Sequence, residues 1–112
     1  MNNLQFDRIR SWAVERNIIE GATPQSQFVK LIEEIGELAH GIAKGRHDEV
    51  IDGIGDAVVV LTILAAQHGV HIENCIEIAW QEIKDRKGRM INGTFVKEAD
   101  LVQGEFDASQ SQ

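Results

Sequence analysis

Two acidic clusters interrupt a stretch of the chain that otherwise has the composition of buried helices. The stretch covers residues 28–66; the first cluster, EEIGE, covers residues 33–37 and the second, DEVIDGIGD, covers residues 48–56. Carboxylates are rarely buried unless they are paired, hydrogen-bonded or bound to a metal. The conflict between these clusters and their apolar surroundings therefore constrains the fold and the function of this chain more than any other feature.

The first cluster lies in a segment with helical periodicity. At 3.6 residues per turn, its apolar residues fall on one stripe, which predicts a core-facing side; the stripe consists of Phe28, Leu31, Ile32, Ile35, Leu38, Ala39 and Ile42. Glu34 lies at the edge of this stripe, and Glu37 follows it at i+3, so that the two carboxylates are neighbours on the helix surface. Taken alone, the cluster is typical of the solvated face of an amphipathic helix.

The second cluster precedes a segment that is apolar on almost every side. Residues 57–66 read AVVVLTILAA, in which only Thr62 is polar, and a helix that is apolar all round is expected to be buried. Asp52 and Asp56 are one turn apart, and their face continues into the apolar run, so Asp56 is predicted to point toward the core. No Lys or Arg lies among residues 47–83, which leaves a salt bridge from another helix as the structural alternative to a metal.

Gly45 marks a break between the two segments and predicts an antiparallel helical hairpin. In such a hairpin Glu34 and Glu37 could face Asp52 and Asp56. Two carboxylates about 6 Å apart repel each other by roughly 3 kcal/mol at an effective dielectric constant near 20. Four converging carboxylates would therefore require a cation.

A site with only oxygen ligands favours a hard divalent ion, Mg²⁺ or alternatively Mn²⁺. Mg²⁺ normally keeps waters and completes its coordination shell with substrate phosphates. The clusters therefore predict metal-assisted attack of water on a phosphoanhydride, with Glu33 or Glu34 as the general base that orients the water. We favour this interpretation over a structural acidic patch.

The blocks LIEEIGEL and GIGDAVVVL resemble the all-α nucleoside triphosphate pyrophosphohydrolases of the MazG type, which are relatives of the dimeric dUTPases. The resemblance covers roughly residues 4–97. It implies that carboxylates of an EExxE motif and an ExxD motif hold Mg²⁺, and that a nucleoside triphosphate is hydrolysed to the monophosphate and pyrophosphate. Glu33, Glu34 and Glu37 match the first motif, and Asp56 matches the aspartate of the second.

The sequence departs from the family pattern at Gly53, which aligns with the glutamate of the second motif. Asp52 is one replacement, because it lies one turn before Asp56. The other is Glu49, since EVID at residues 49–52 is itself an ExxD match. The resemblance thus implies metal ligands among Glu34, Glu37, Asp52, Asp56 and Glu49, with the choice on the second helix left open.

Three basic residues are candidates for binding the substrate phosphates. Lys30 lies one turn before Glu34 and could form either an i, i+4 ion pair or a phosphate contact. Lys84 and Lys87 belong to a basic group at the end of the last helix, where a favourable interaction with the helix C-terminus is the structural alternative. The resemblance implies that these two residues clamp the triphosphate.

The predicted fold class is all-α: a four-helix MazG-like bundle completed by oligomerisation, with a short C-terminal hairpin. Asn3 and Thr23 are predicted helix caps, with Pro24 at a first helical position, and an Asn-Gly pair at residues 92–93 predicts the hairpin turn. The expected helices cover about residues 3–16, 24–44 and 72–86, with a third helix that follows the break at Gly45 and ends near His68. A single domain is expected over residues 1–99, followed by a flexible tail over residues 100–112.

Composition limits the partners and the compartment. A chain of 112 residues can hardly cover an apolar-all-round helix alone, which predicts a homodimer or homotetramer. The net charge of −7 argues against binding a nucleic acid polymer, and the apolar run at residues 57–66 is too short to span a membrane. The single cysteine, Cys75, and the lack of an apolar segment near Met1 predict a cytoplasmic protein.

The predicted function is Mg²⁺-dependent hydrolysis of a ribo- or deoxyribonucleoside triphosphate, with a role in cleaning the nucleotide pool. Two alternatives remain open. Gly53, at the position of a family ligand, favours a non-catalytic oligomerisation or nucleotide-sensing module. A dUTP-type specialist is the alternative within the enzyme class, because the loop and subunit contacts that select a base cannot be identified in the sequence.

Overall fold

A computed structural model describes residues 4–101 of the chain. The elements in chain order are α1 (Leu4–Glu15), α2 (Ile18–Gly21), α3 (Pro24–Ala43), α4 (His47–Gln67), α5 (Ile72–Ile83), β1 (Gly88–Ile91) and β2 (Thr94–Lys97). Residues 98–101 are again helical. The prediction of an all-α fold with a short C-terminal hairpin is confirmed. The predicted cap Asn3 and the predicted tail after residue 101 lie outside the described residues.

The described chain divides after Ile76 into two compact units. The first contains α1 to α4 and the beginning of α5, and the second contains the rest of α5 and the β-hairpin. Within the first unit α4 is the central element, because α1, α2 and α3 all pack against it. The expectation of one domain over residues 1–99 stays a prediction.

Local sequence signals set the ends of α3. The Thr23 side chain accepts a hydrogen bond from the Ser26 backbone N–H at 3.0 Å, and the Ser26 hydroxyl accepts one from the Thr23 backbone N–H at 3.3 Å. This reciprocal cap satisfies two backbone groups that a helix start leaves without partners, and Pro24 follows at the first position. At the other end Gly45 has φ +65°, a left-handed conformation that glycine adopts without steric cost. The predicted α3–α4 hairpin is confirmed.

The sequence did not predict α2. This four-residue helix lies inside the stretch expected to be an irregular connection, and it follows Asn17, which has φ 55°. Asparagine tolerates the left-handed region better than most residues. The turn at Asn17 lets the chain reverse between α1 and α3, and α2 packs against both α1 and α4.

The core of the first unit is small. Ala13, Val60, Ile63 and Ile72 are its buried apolar residues, and Thr62 is buried with them, its hydroxyl donating to the Val58 carbonyl oxygen at 2.7 Å. In the single chain, the helix over residues 57–66 is not buried on every side, and its complete burial depends on the oligomerisation, which stays a prediction. Leu61, for example, is 40% exposed.

A largely buried ion pair joins the two ends of the first unit's chain. The Arg10 guanidinium donates to both carboxylate oxygens of Glu73, at 2.5 and 2.6 Å, and it also donates to Asp7 at 2.6 Å. The hydrogen bonds from Arg10 lower the pKa of Glu73 to about 2. This bidentate contact ties α1 to the first turn of α5.

The predicted apolar stripe of α3 is not its buried face. Four of its members are 47–63% exposed: Phe28, Ile32, Ile35 and Ile42. The buried residues of α3 are Gln27, Glu34 and Gly41, at a spacing of seven. The helix is therefore rotated from the predicted orientation, because the backbone of α4 comes close to Gly41 and leaves no room for larger side chains there.

The C-terminal hairpin pairs β1 and β2 in antiparallel register, with Ile91 opposite Thr94. Asn92 and Gly93 form the two-residue turn with φ values of 50° and 82°. Positive φ at both central residues is the requirement of the turn type that matches strand twist in short hairpins. The turn predicted from the Asn-Gly pair is confirmed.

Candidate active site

An open cleft of about 670 Å³ lies between α3 and α4. Each helix contributes residues at positions i, i+3, i+4 and i+7, so that one face of α3 opposes one face of α4. The lining residues are Glu33, Gly36, Glu37 and His40 from α3, and Glu49, Asp52, Gly53 and Asp56 from α4. Five of the eight are carboxylates, and none is Lys or Arg.

Glycine at position 53 determines how closely the two helices approach. A Cβ atom added to Gly53 would lie 3.0 Å from the Leu38 Cβ and 3.2 Å from the Leu38 Cα, closer than carbon atoms normally pack. The α3 and α4 backbones therefore meet at this level only because Gly53 lacks a side chain. Gly36 also lines the cleft, and its missing side chain leaves further space between the helices.

Glu34 is the carboxylate with the most unfavourable surroundings. Its side chain is 10% exposed, and its Oε1 atom lies 3.7 Å from the Lys30 Nζ, while its Oε2 atom is buried without a hydrogen-bond partner within residues 4–101. Burial raises the pKa of Glu34, and the negative charges of Glu37 and Asp56 raise it further. Because both of these neighbours line the cleft, Glu34 faces the same negatively charged region.

Glu49 is held by two partners. The Arg46 guanidinium donates to the Glu49 Oε1 at 3.0 Å, and the His40 Nδ1 lies 3.4 Å from the Glu49 Oε2. The Arg46 hydrogen bond lowers the pKa of Glu49, and His40 contributes in the same direction. His40 belongs to α3 and Glu49 to α4, so this contact joins the two helices beside the turn at Gly45.

The remaining predicted carboxylates of the site are exposed in the cleft: the candidate base Glu33 and three candidate metal ligands. Glu33, Glu37, Asp52 and Asp56 all belong to the exposed class. The prediction that Asp56 points into the core is wrong. Asp56 does lie on the face of α4 that turns toward α3, but that face borders the open cleft and not a packed layer.

The cleft brings together five of the predicted site residues, and Glu34 adjoins them through its electrostatic neighbours. Within residues 4–101, no group of three or more His, Cys, Asp or Glu side chains is already arranged to hold a metal ion. Carboxylates that share a site repel one another in the absence of a cation. Their oxygen atoms, and the buried unpartnered oxygen of Glu34, nevertheless fit the ligand preference of Mg²⁺.

The predicted phosphate-binding residues fall into both units. Lys30 lies on α3 and makes the i, i+4 contact with Glu34 that the sequence predicted as one of two roles. Lys84 and Lys87 follow α5 in the second unit. The Lys84 backbone N–H donates to the Trp80 carbonyl oxygen at 2.9 Å, and the Lys87 carbonyl oxygen accepts from the Glu98 backbone N–H at 2.8 Å.

Sequence reasoning missed His40 and Arg46 as parts of the site. His40 has no paired metal-ligand spacing with another histidine, so the sequence alone does not distinguish it from a surface or capping histidine. A usable signal existed for Arg46, which precedes Glu49 by three residues and is therefore its neighbour on a helix surface. The contact of His40 with Glu49 depends on the close approach of two helices and has no signal in the local sequence.

Comparisons with known proteins found a matching family model and a similar phage protein. Residues 22–90 match the family model of the MazG nucleotide pyrophosphohydrolase domain. The chain is also similar to an uncharacterized 18.2 kDa protein from the rep-hol intergenic region of Haemophilus phage HP1, with 51% identity over 69 residues. That match covers 62% of this chain and 41% of the phage protein. No solved structure matches the chain.

Within residues 4–101, no helix is both long enough and apolar enough to cross a lipid bilayer.

Proposed function

We propose a function on the premise that the chain belongs to the MazG nucleotide pyrophosphohydrolase domain family. The protein hydrolyses a ribo- or deoxyribonucleoside triphosphate to the monophosphate and pyrophosphate, with Mg²⁺ or Mn²⁺ as the cofactor. A role in removing unwanted nucleotides from the cellular pool follows from such an activity. Family membership supports a nucleotide pyrophosphohydrolase in general, and the metal and the substrate are our proposal.

The observation that carries the proposal is the buried Oε2 atom of Glu34, which has no partner within residues 4–101. A buried polar atom without a partner costs free energy, and this one adjoins a cleft lined by further carboxylates. A divalent cation would offset the repulsion among these groups. Waters and substrate phosphates would complete the shell of a magnesium ion, which is consistent with the absence of a closed ligand cage within residues 4–101.

We assign the metal to Glu34 and Glu37 of α3 and to Asp56 of α4, together with Asp52 or Glu49. When bound, the ion would polarise the phosphates and stabilise the negative charge of the leaving pyrophosphate. Each of these residues can supply the anionic oxygen that a hard cation prefers.

Glu33 or Glu34 orients the attacking water and accepts its proton. A general base must lie within hydrogen-bonding reach of the water that it deprotonates, and Glu34 adjoins the cleft beside Glu37 and Asp56. Glu33 is the alternative, because its side chain is exposed in the cleft. The bond that breaks is the phosphoanhydride between the α- and β-phosphates.

We propose Lys30, Lys84 and Lys87 as phosphate ligands. A triphosphate needs positive groups in addition to the metal, and the cleft lining contains no Lys or Arg. Lys30 is 57% exposed at its side chain and can move from Glu34 to a phosphate at little cost, since exposed ion pairs contribute little free energy.

We also propose that the protein acts as a homodimer or homotetramer. The exposed apolar side chains of α3, Phe28, Ile32, Ile35 and Ile42, form a stripe along one helix. Contiguous apolar surface of this kind is typical of protein interfaces.

The experiment is an assay of pyrophosphate release from a panel of nucleoside triphosphates with Mg²⁺ or Mn²⁺. Glu37→Gln and Asp56→Asn should each lower the rate by at least about 100-fold, because removal of even indirect metal partners costs up to that factor. Asp48→Asn is the matched control, since Asp48 is exposed on α4 and does not line the cleft. No turnover of any triphosphate by the folded wild-type protein would instead favour the non-catalytic module.

A further inference from the structure

Glu49 and Asp52 differ in how their carboxylates are engaged. Both oxygen atoms of Glu49 have partners, Arg46 on Oε1 and His40 on Oε2. Within residues 4–101, no hydrogen bond or ion pair engages the Asp52 side chain, which is exposed in the same cleft. A cation that used Glu49 would have to displace two existing partners, whereas one that used Asp52 would displace only water.

The two helices come equally close at two levels, where Gly41 meets Glu49 and where Gly53 meets Leu38, and only the second level has proposed ligands on both helices next to the contact. Gly53 meets Leu38 at this point, and the residues that precede each of them in the chain are Asp52 and Glu37. Both Asp52 and Glu37 line the cleft. The backbone segments that carry these two carboxylates are therefore held close together by the Gly53 contact.

Asp52 also lies closer to Asp56 along α4 than Glu49 does. The two residues are separated by four positions on α4 and therefore lie on the same face, one turn apart. Glu49 lies a further turn toward the start of the helix, where its contact with Arg46 places it beside the Gly45 turn.

From these three observations we infer that α4 supplies Asp52 and Asp56 to the divalent cation, and that Glu49 is a positioning residue. The inference rests on the proposed function, because it concerns the same cation. Glu49 acts through its contacts with His40 and Arg46, which fix the start of α4 against the end of α3. Asp52 binds the ion directly, as the second α4 carboxylate.

The test measures Mn²⁺ binding to the full chain by electron paramagnetic resonance, without nucleotide. Asp52→Asn should raise the dissociation constant by at least about 100-fold, because the loss of even an indirect metal partner costs up to that factor. Glu49→Gln should change it by less than about threefold, because the cost of an indirect partner belongs to residues that contact a ligand, and the partners of Glu49 are His40 and Arg46, which are not proposed ligands. Asp56→Asn is the positive reference and Asp48→Asn the matched control. The melting temperature without metal provides a second measurement, because Glu49→Gln should lower it and Asp52→Asn should not.

The outcomes separate this inference from the proposed function. If Glu49→Gln abolishes Mn²⁺ binding and Asp52→Asn does not, or if both variants bind as the wild type does, the assignment of Asp52 is wrong while the metal site stands. If the folded wild-type protein binds no Mn²⁺ at millimolar concentration, the inference and the metal dependence of the proposed function are both wrong.

Discussion

Glu34 and Glu49 lie on facing helices of one hairpin, yet their surroundings differ in burial, in partners and in the direction of their pKa shifts. Glu34 has a raised pKa because it is buried beside other carboxylates. Glu49 has a lowered pKa because Arg46 donates to it. Near the Gly45 turn, the Glu49 carboxylate therefore has favourable partners. Glu34, by contrast, lies close to other negative charges.

This difference separates structural carboxylates from functional ones. A charge that already has partners can fix the geometry of a turn but offers little to an incoming cation. A buried charge without a sufficient partner destabilises the free protein, and a bound cation would offset that cost. Proteins retain such unfavourable groups mainly where activity requires them, which supports the proposed metal-binding role of Glu34 and the positioning role inferred for Glu49.

The largest expected effect is that of Glu34→Gln on metal-linked stability. Without metal, this variant should melt at a higher temperature than the wild type at neutral pH, because the amide removes a disfavoured charge. At a Mg²⁺ concentration of 100 times the dissociation constant, the wild type should gain about 2.7 kcal/mol, and the variant should gain much less. Melting curves with and without Mg²⁺ measure both effects.

The pH dependence of the same variant provides an internal check. Because the folded-state pKa of Glu34 is raised, the folded protein binds the proton more tightly than the unfolded chain does. Without metal, the stability of the wild type should therefore fall as the pH rises from the ordinary glutamate pKa through the raised pKa of Glu34. This pH-dependent loss of stability should be absent in Glu34→Gln. An unchanged pH profile, or a lower melting temperature for the variant, would contradict the unfavourable environment assigned to Glu34.

A smaller effect is expected from Gly53→Ala, which tests the close helix contact between the two parts of the hairpin. The new methyl group would meet Leu38 at 3.0 Å, and overpacking of this kind costs about 1–3 kcal/mol. Gly55→Ala is the matched control, because nothing lies within 4 Å of its added Cβ and alanine favours a helix by roughly 1 kcal/mol. The urea concentration at the unfolding midpoint should therefore fall for Gly53→Ala and rise for Gly55→Ala. A shift in the same direction for both variants would contradict the role of Gly53.

Features governed by local sequence could be predicted. Thr23 and Pro24 start α3, Gly45 ends the first half of the hairpin, and Asn92-Gly93 forms the β-turn, all through backbone preferences of the residues themselves. The pairing of two acidic clusters along one cleft could also be predicted, because helical periodicity and a short turn together place them on facing helices.

Burial could not be predicted in the same way. Helical periodicity gives the relative direction of side chains but not which face meets the neighbouring helix, and that choice depends on the small residues Gly41 and Gly53, where α3 and α4 come into contact. The expected burial of Asp56 is consequently wrong, and within the first cluster Glu34 is buried while Glu33 and Glu37 are exposed as expected. The His40–Glu49 contact could not be predicted for the same reason, because it also depends on which faces of α3 and α4 meet.

The smallest expected effect is that of Arg46→Ala, which removes the main partner of Glu49. Because the lowered pKa of Glu49 means that its ionised form is favoured in the folded state, the contribution of this contact is present above the ordinary glutamate pKa. This stabilising contribution is lost as the pH falls through the lowered pKa of Glu49. At neutral pH and low salt the melting temperature should decrease by about 2 °C, as expected for an exposed ion pair, and 1 M salt should reduce the difference.

Lys44→Ala is the matched control for Arg46→Ala. It removes a positive charge beside the same turn, and within residues 4–101 no hydrogen bond or ion pair engages the Lys44 side chain. If both variants lose the same stability with the same salt dependence, the effect comes from net charge and Glu49 is not specifically held. The other outcome is that only Arg46→Ala lowers the melting temperature, while its Mn²⁺ affinity stays within about threefold of the wild type. Glu49 then fixes the hairpin without binding the cation, in contrast to Glu34.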